Sequence, residues 1–224
     1  MPNHAAFETL DDLLDSLGGI SPKRVRLRPP PGRATEKDVI RIRERERRLF
    51  ELVDGTLVEK VMGAPESSVA AVLIQLLGNY SDANGRLGVV FGEAGMLKLL
   101  GGLVRIPDVC FVLRSRLPNG KVPRDPVPDL APDLAVEVLS KANTRREMER
   151  KLKEYFLSGV RLVWFVDPRA GTVRVFSSPD DVTELGPGDT LDGGDVLPGF
   201  RVRVARLFSE LEDAPPRKPA RRKK

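Results

Sequence analysis

Asp108 and Glu137 stand out as carboxylates set among apolar residues, in RIPDVCFVL (105–113) and DLAVEVLS (133–140). Burying a carboxylate without a partner costs several kcal/mol or leaves it protonated. Pro107 adds a second oddity, because proline cannot donate to a sheet ladder. Two accounts are open for the first stretch. Either the strand begins late and Asp108 caps a turn, or Asp108 points into a cleft and holds something positive. Asp133 and Glu137, four residues apart on one strand, have Cα atoms about 13 Å apart and are too distant to share an ion. Asp108 belongs to a different strand, and neighbouring strands lie about 5 Å apart, the spacing at which two carboxylates clasp one divalent cation. A bound metal would resolve both oddities.

A cation would complete such a site. In NTRREMERKLKEYFLSG (143–159), Met148, Leu152, Tyr155, Phe156 and Gly159 form the inward face of a predicted helix. Lys151 lies on the border of that face, one turn before Tyr155, whereas Lys153 points further toward solvent. Its ammonium would reach the mouth of the cleft while its stem packs against the sheet. The plainer alternative is a surface lysine on a charged helix. Tyr155 and Trp164 read as core packing, Cys110 as a small buried hydrophobe, Asn143 or Thr144 as the cap of this helix, and Ser140 as a further cap or a group that approaches the site.

The rest of the composition removes other chemistries. One histidine (His4) and one cysteine (Cys110) exclude zinc sites built from Cys and His, a Ser-His-Asp triad and a Cys-His pair. A lone cysteine, no run of about 20 apolar residues and no basic-then-apolar N-terminus lead to an expectation of a cytoplasmic protein without a membrane partner. The net charge of +5 is local. Arg217, Lys218, Arg221, Arg222, Lys223 and Lys224 crowd the tail PPRKPARRKK, and without these six the remainder carries −1. Such a tail suits phosphate backbones, or serves as a disordered solubilising end.

These residues need elements to position them. FELVDGTLVEKV reads as a hairpin around Asp54-Gly55, and SSVAAVLIQLLGNYSDANG as a helix. LGVVFGEAGMLKLL, GLVRIPDVCFVL, APDLAVEVLS, RLVWFVDP and TVRVFSS read as strands. DTLDGGDVLPGF lacks the spacing of a calcium loop and reads as a turn-rich hairpin. The order is that of a mixed sheet flanked by helices. Residues 1–46, with FETLDDLLDSL, a proline-rich SPKRVRLRPPPGRA and a charged EKDVIRIRERERRLF, read as an N-terminal extension containing a linker.

FELVDGTLVE, VRIPDVCFV, PDLAVEVLS, the KLKEY…GV…VWFVDP block and GDTLDGGDVLPGF, in this order over about residues 47–208, resemble the Uma family of restriction-endonuclease-like proteins. That family is a branch of the PD-(D/E)XK nuclease superfamily. The resemblance implies an α/β (α+β) fold with a restriction-endonuclease-like core, a mixed β-sheet flanked by helices. It also implies a nuclease-like domain over 47–208, preceded by the extension and followed by a basic disordered tail over 209–224. The family's motif aspartate falls on Asp108 and its glutamate on Glu137. The superfamily's lysine, two residues after the glutamate, is replaced here by Leu139. The matching cation in this family comes from the following helix, at Lys151. Glu51 and Glu93 match further acidic positions; Glu51 is an accessory acid at the metal site or the partner of a lysine or arginine. The histidine that the family often carries after the first hairpin is missing from PESSVA.

The chemistry so implied is phosphodiester hydrolysis. Mg²⁺, or Mn²⁺ in its place, would be held by Asp108, Glu137 and the backbone carbonyl of Val138, with Lys151 orienting or deprotonating a water. The implied function is a metal-dependent endonuclease acting on nucleic acid, DNA foremost, with a homodimer as one arrangement for cutting two strands. The alternative is a nuclease fold without catalysis that binds nucleic acid or docks a partner.

Overall fold

Thr9 and Thr35 each end an extended stretch and start a helix. The backbone N–H of Thr9 donates to Asp12 (3.0 Å) and that of Thr35 to Asp38 (2.9 Å), satisfying a donor that the first helical turn leaves free. The helices are α1 (Leu10–Ser16) and α2 (Glu36–Glu46), with β1 (Val25–Arg26) between them. The computed structural model describes residues 7–211. β2 (Phe50–Val53) and β3 (Thr56–Glu59) form the predicted hairpin, and Asp54 and Gly55 take the positive φ angles (46° and 68°) of a two-residue turn. After α3 (Ala64–Ala83) come β4 (Gly88–Gly92), β5 (Leu97–Lys98), β6 (Val104–Arg105), β7 (Val109–Leu113) and β8 (Leu134–Val138). Then follow α4 (Arg145–Leu157), β9 (Leu162–Asp167), β10 (Thr172–Phe176), β11 (Val182–Leu185), β12 (Thr190–Asp192), β13 (Arg201–Arg203) and α5 (Val204–Leu207).

The mixed sheet flanked by helices is the six-stranded one, ordered β11-β10-β9-β8-β7-β4. Only β8 and β9 run parallel in it, and α4 is their crossover. Val69, Leu73 and Leu77 of α3 pack on one face, against Val136, Trp164 and Phe200. Met148, Leu152 and Tyr155 of α4 pack on the other, against Cys110, Ala135 and Phe165. Every residue of β8 is buried, so Glu137 sits in the centre of the fold. The first hairpin belongs to a second, five-stranded antiparallel sheet, ordered β1-β3-β2-β6-β5. β12 and β13 make the predicted C-terminal hairpin.

The segment read as an N-terminal extension carries β1, which pairs with β3, and two helices that pack on the second sheet: Val39 and Ile42 against Phe50 and Leu52, and Leu13 and Leu17 against Val53 and Val58. The chain there also reaches α4. At Gly18 (φ 90°) a Cβ would lie 2.5 Å from the backbone nitrogen of Glu147, so only glycine permits the approach. Arg24 holds the Glu147 carboxylate with two bonds (2.8 and 3.0 Å), both groups buried. No helix among the described residues is long and apolar enough to cross a membrane.

Candidate active site

Pro107 lies where the chain passes from one sheet to the other. Arg105 ends β6 in the five-stranded sheet and Val109 begins β7 in the six-stranded one. A residue without an N–H suits this gap, because neither ladder needs a donor from it. Part of each account holds: the strand starts late, but Asp108 points inward rather than capping a turn. Asp108 is 3% exposed and accepts the backbone N–H of Val138 at 2.6 Å, just beyond the last paired residues, Val109 and Val136. A side-chain oxygen thus satisfies a strand donor that the ladder has left behind.

Glu137 approaches the same position from β8. Lys60, which follows β3, bridges the two acids: its Nζ is 2.8 Å from Asp108 Oδ1 and 3.2 Å from Glu137 Oε2. On its other side Glu137 receives both the ammonium of Lys151 (3.2 Å) and the hydroxyl of Tyr155, which donates at 2.5 Å. Lys151 and Tyr155 stand four residues apart on α4, one above the other on the face turned to the sheet.

Glu51, on β2, forms the floor. It is fully buried, and Lys151 Nζ lies 3.1 Å from its Oε1 while Arg105 holds its Oε2 at 2.7 Å. The backbone N–H of Ile106 donates to Glu51 Oε1 as well (3.1 Å). Arg105 turns its remaining donors to Glu154 on α4. Three carboxylates from three strands or their connections therefore meet three cations, and each acid has at least two partners.

The electrostatics follow from this arrangement. Burial alone would raise Glu51, but the charges of Lys151, Arg105 and Lys60 outweigh it and hold its carboxyl well below the ordinary range. Burial also works against ionised Glu137, and Lys151 and Lys60 again prevail, lowering it. Asp108 goes the other way. Burial raises it, the neighbouring Glu137 charge adds to this, and Lys60 offsets them only in part. Lys60 is raised despite burial, by Asp108, Glu137 and Glu51. The Cys110 thiol, shut into the core, is pushed up to about 12 and is unreactive.

Of the predicted site residues, Asp108, Glu137, Lys151, Glu51 and the Val138 backbone converge. Lys151 is not at the mouth of a cleft, nor on the surface; it is 1% exposed, beneath Glu137. Glu93 stays apart, exposed on the lip of an open groove of about 550 Å³ that Asp108 also lines, with Ser67, Ile74 and Phe91. Ser140 does not cap α4; Thr144 does, accepting the Glu147 N–H, while Ser140 closes a turn with Asn143. Trp164 is core, as its sequence setting implies. Tyr155 is more than packing, since its hydroxyl ends on Glu137; a buried tyrosine hydroxyl needs a partner, and that was the available signal. Lys60 and Arg105 escape sequence reasoning. Strand alternation puts Lys60 on the face that Glu51 and Val58 share, a hint that needs the second sheet to have meaning. The six tail cations and His4 lie outside the described residues.

Among the described residues no three His, Cys, Asp or Glu side chains are gathered closely enough to hold an ion by themselves. The donors on offer are the oxygens of Asp108 and Glu137. In an extended strand the N–H and C=O of one residue project to the same edge, so the Val138 carbonyl leaves β8 on the side where Asp108 lies.

Comparison with known proteins supplies the remaining context. A solved structure from Anabaena variabilis, described as "a putative nuclease belonging to DUF820", superposes with a TM-score of 0.65 at 20% identity, covering 73% of this chain and 92% of the other. That likeness is one of fold. No curated protein sequence matches. The sequence model of the Uma2 family, described as "Putative restriction endonuclease", matches residues 17–205. With most of its length inside that match, the chain belongs to the Uma2 family.

Proposed function

We propose that the protein is a metal-dependent endonuclease that hydrolyses phosphodiester bonds, with DNA as substrate. One observation carries this reading: Asp108 and Glu137, 29 positions apart in the chain, face a single positive centre between two sheets. The residues fit a hard divalent ion. Their donor atoms are oxygens, and Mg²⁺ is commonly held by one or two carboxylates with its other positions left to water and substrate phosphate. Asp108, Glu137 and the Val138 carbonyl would hold it. Bound Mg²⁺ or Mn²⁺ would polarise the phosphate and supply a water of lowered pKa.

The chain's own residues do the rest. Lys151 and Tyr155 fix the Glu137 carboxylate, and the Val138 N–H fixes that of Asp108, so both face the same point before substrate arrives. With Nζ enclosed by Glu51 and Glu137, Lys151 acts by positioning Glu137; the role of orienting water directly would require it to reach the groove. The groove beside Asp108 would receive the scissile strand, and the basic tail would add affinity for the backbone.

A nuclease fold that binds without cutting is the second reading. It is favoured by the acid pair being already bridged by the Lys60 ammonium. Nicking of supercoiled plasmid by the purified protein separates the two. The endonuclease reading expects nicking with Mg²⁺ or Mn²⁺, none in EDTA, and a loss of at least about a hundredfold in Asp108→Asn and Glu137→Gln. Equal nicking by both variants, or none by the wild type, refutes it.

A further inference from the structure

Lys60 plays no part in the chemistry so far described, yet it is the one group among the described residues that touches both Asp108 and Glu137. Its side chain is 7% exposed, but its backbone leaves β3 for a loop whose next residue, Val61, is 52% exposed. The two lysines of the site thus differ in what holds them. Lys151 is carried by a packed helix and enclosed by Glu51 and Glu137. Lys60 reaches in from the frayed end of the β2–β3 hairpin, where its N–H still donates to the Leu49 carbonyl (2.9 Å) and the chain turns into a loop, on a four-carbon stem whose ion partners are the two acids.

We propose that Lys60 is a built-in counter-ion that occupies the cation seat, and that a divalent ion and the Lys60 ammonium exclude each other. The proposal rests on the metal reading above. Both cations need the same carboxylate oxygens, and a +1 and a +2 charge a few Å apart repel strongly in a site shielded from water. The seat survives the departure of Lys60. Asp108 retains the Val138 N–H, and Glu137 retains Lys151 and Tyr155, so neither acid is left without a partner. Without metal, Lys60 keeps two buried carboxylates from facing each other unpaired. With metal, it is expelled from between the two acids. The Lys60 latch therefore sets the divalent concentration at which the site opens.

Calorimetric titration with Mn²⁺ alone, on the full chain, tests this. Lys60→Met is expected to bind Mn²⁺ about tenfold or more tightly than the wild type, with Lys60→Gln, which keeps a polar contact to the acids, in the same direction. In a parallel measurement on the wild type, acetic anhydride labelling read by mass spectrometry should modify Lys60 more when Mn²⁺ is added, while Lys151 stays unmodified. Wild-type binding that Asp108→Asn abolishes but Lys60→Met leaves unchanged overturns the latch and spares the metal reading. Absence of binding in the wild type and in both Lys60 variants overturns both. Should the variants fail to fold, labelling of Lys60 that does not change at saturating Mn²⁺ overturns the latch.

Discussion

Glu51 and Glu137 come from different sheets and share one ammonium: Lys151 Nζ lies 3.1 Å from the first and 3.2 Å from the second. This buried junction fixes the two sheets relative to each other at the point where Asp108 crosses between them. Breaking such a pair by removing one partner leaves uncompensated charge in the interior. Lys151→Met is therefore expected to destabilise the fold by about 3–5 kcal/mol in denaturant unfolding. A loss below about 1 kcal/mol, the range of exposed ion pairs, would show that the junction does not hold the sheets together.

Tyr155→Phe removes only the hydroxyl that donates to Glu137. The ring stays in the core, so packing is conserved and the loss is that of a bond to a charged acceptor, about 1.5–3 kcal/mol. Denaturant midpoints read it. A neutral substitution would mean that Lys60 and Lys151 alone suffice to hold Glu137.

Stability in metal-free buffer should fall on both sides of a plateau. Burial raises Glu51, but Lys151 and Arg105 lower it further than that, so its folded pKa lies under the ordinary 4.5. Its contribution is complete above 4.5 and is lost as pH falls through the folded value. Lys60 is the mirror case: although burial lowers it, Asp108 and Glu137 raise it above 10.5, so its contribution is complete below 10.5 and fades as pH climbs through the raised value. Glu51→Gln should flatten the acid limb of a midpoint-against-pH curve, and Lys60→Gln the alkaline limb. Unchanged limbs in both variants would contradict the pairing.

Affinity for duplex DNA should fall linearly in log K against log salt. Changing all six tail cations, Arg217, Lys218, Arg221, Arg222, Lys223 and Lys224, to glutamine should make the slope shallower by about 0.9 for every phosphate that the tail neutralises. An unaltered slope would place the phosphate-binding cations on the body of the protein.

What can be read from sequence is whatever interrupts a local pattern. Asp108 and Glu137 are legible because a carboxylate in an apolar strand is expensive, and the Asp54-Gly55 hairpin because its turn needs positive φ. The inward tendency of Lys151 shows in helix phase, though its depth does not. Lys60 and Arg105 stay hidden because their meaning depends on how two sheets are placed, which no local spacing encodes. The same holds for the division of the strands. Pro107 looks like a defect within one strand and instead separates two ladders. The docking of the N-terminal region is hidden for a similar reason, as Arg24 and Glu147 are 123 positions apart.

The most direct test is a crystal of the wild-type protein soaked in Mn²⁺ and read by anomalous scattering. The account predicts a single strong peak within coordination distance of a carboxylate oxygen of Asp108 and one of Glu137, with the Lys60 ammonium moved away from both. A peak elsewhere, or acids still bridged by Lys60 at saturating Mn²⁺, would contradict it.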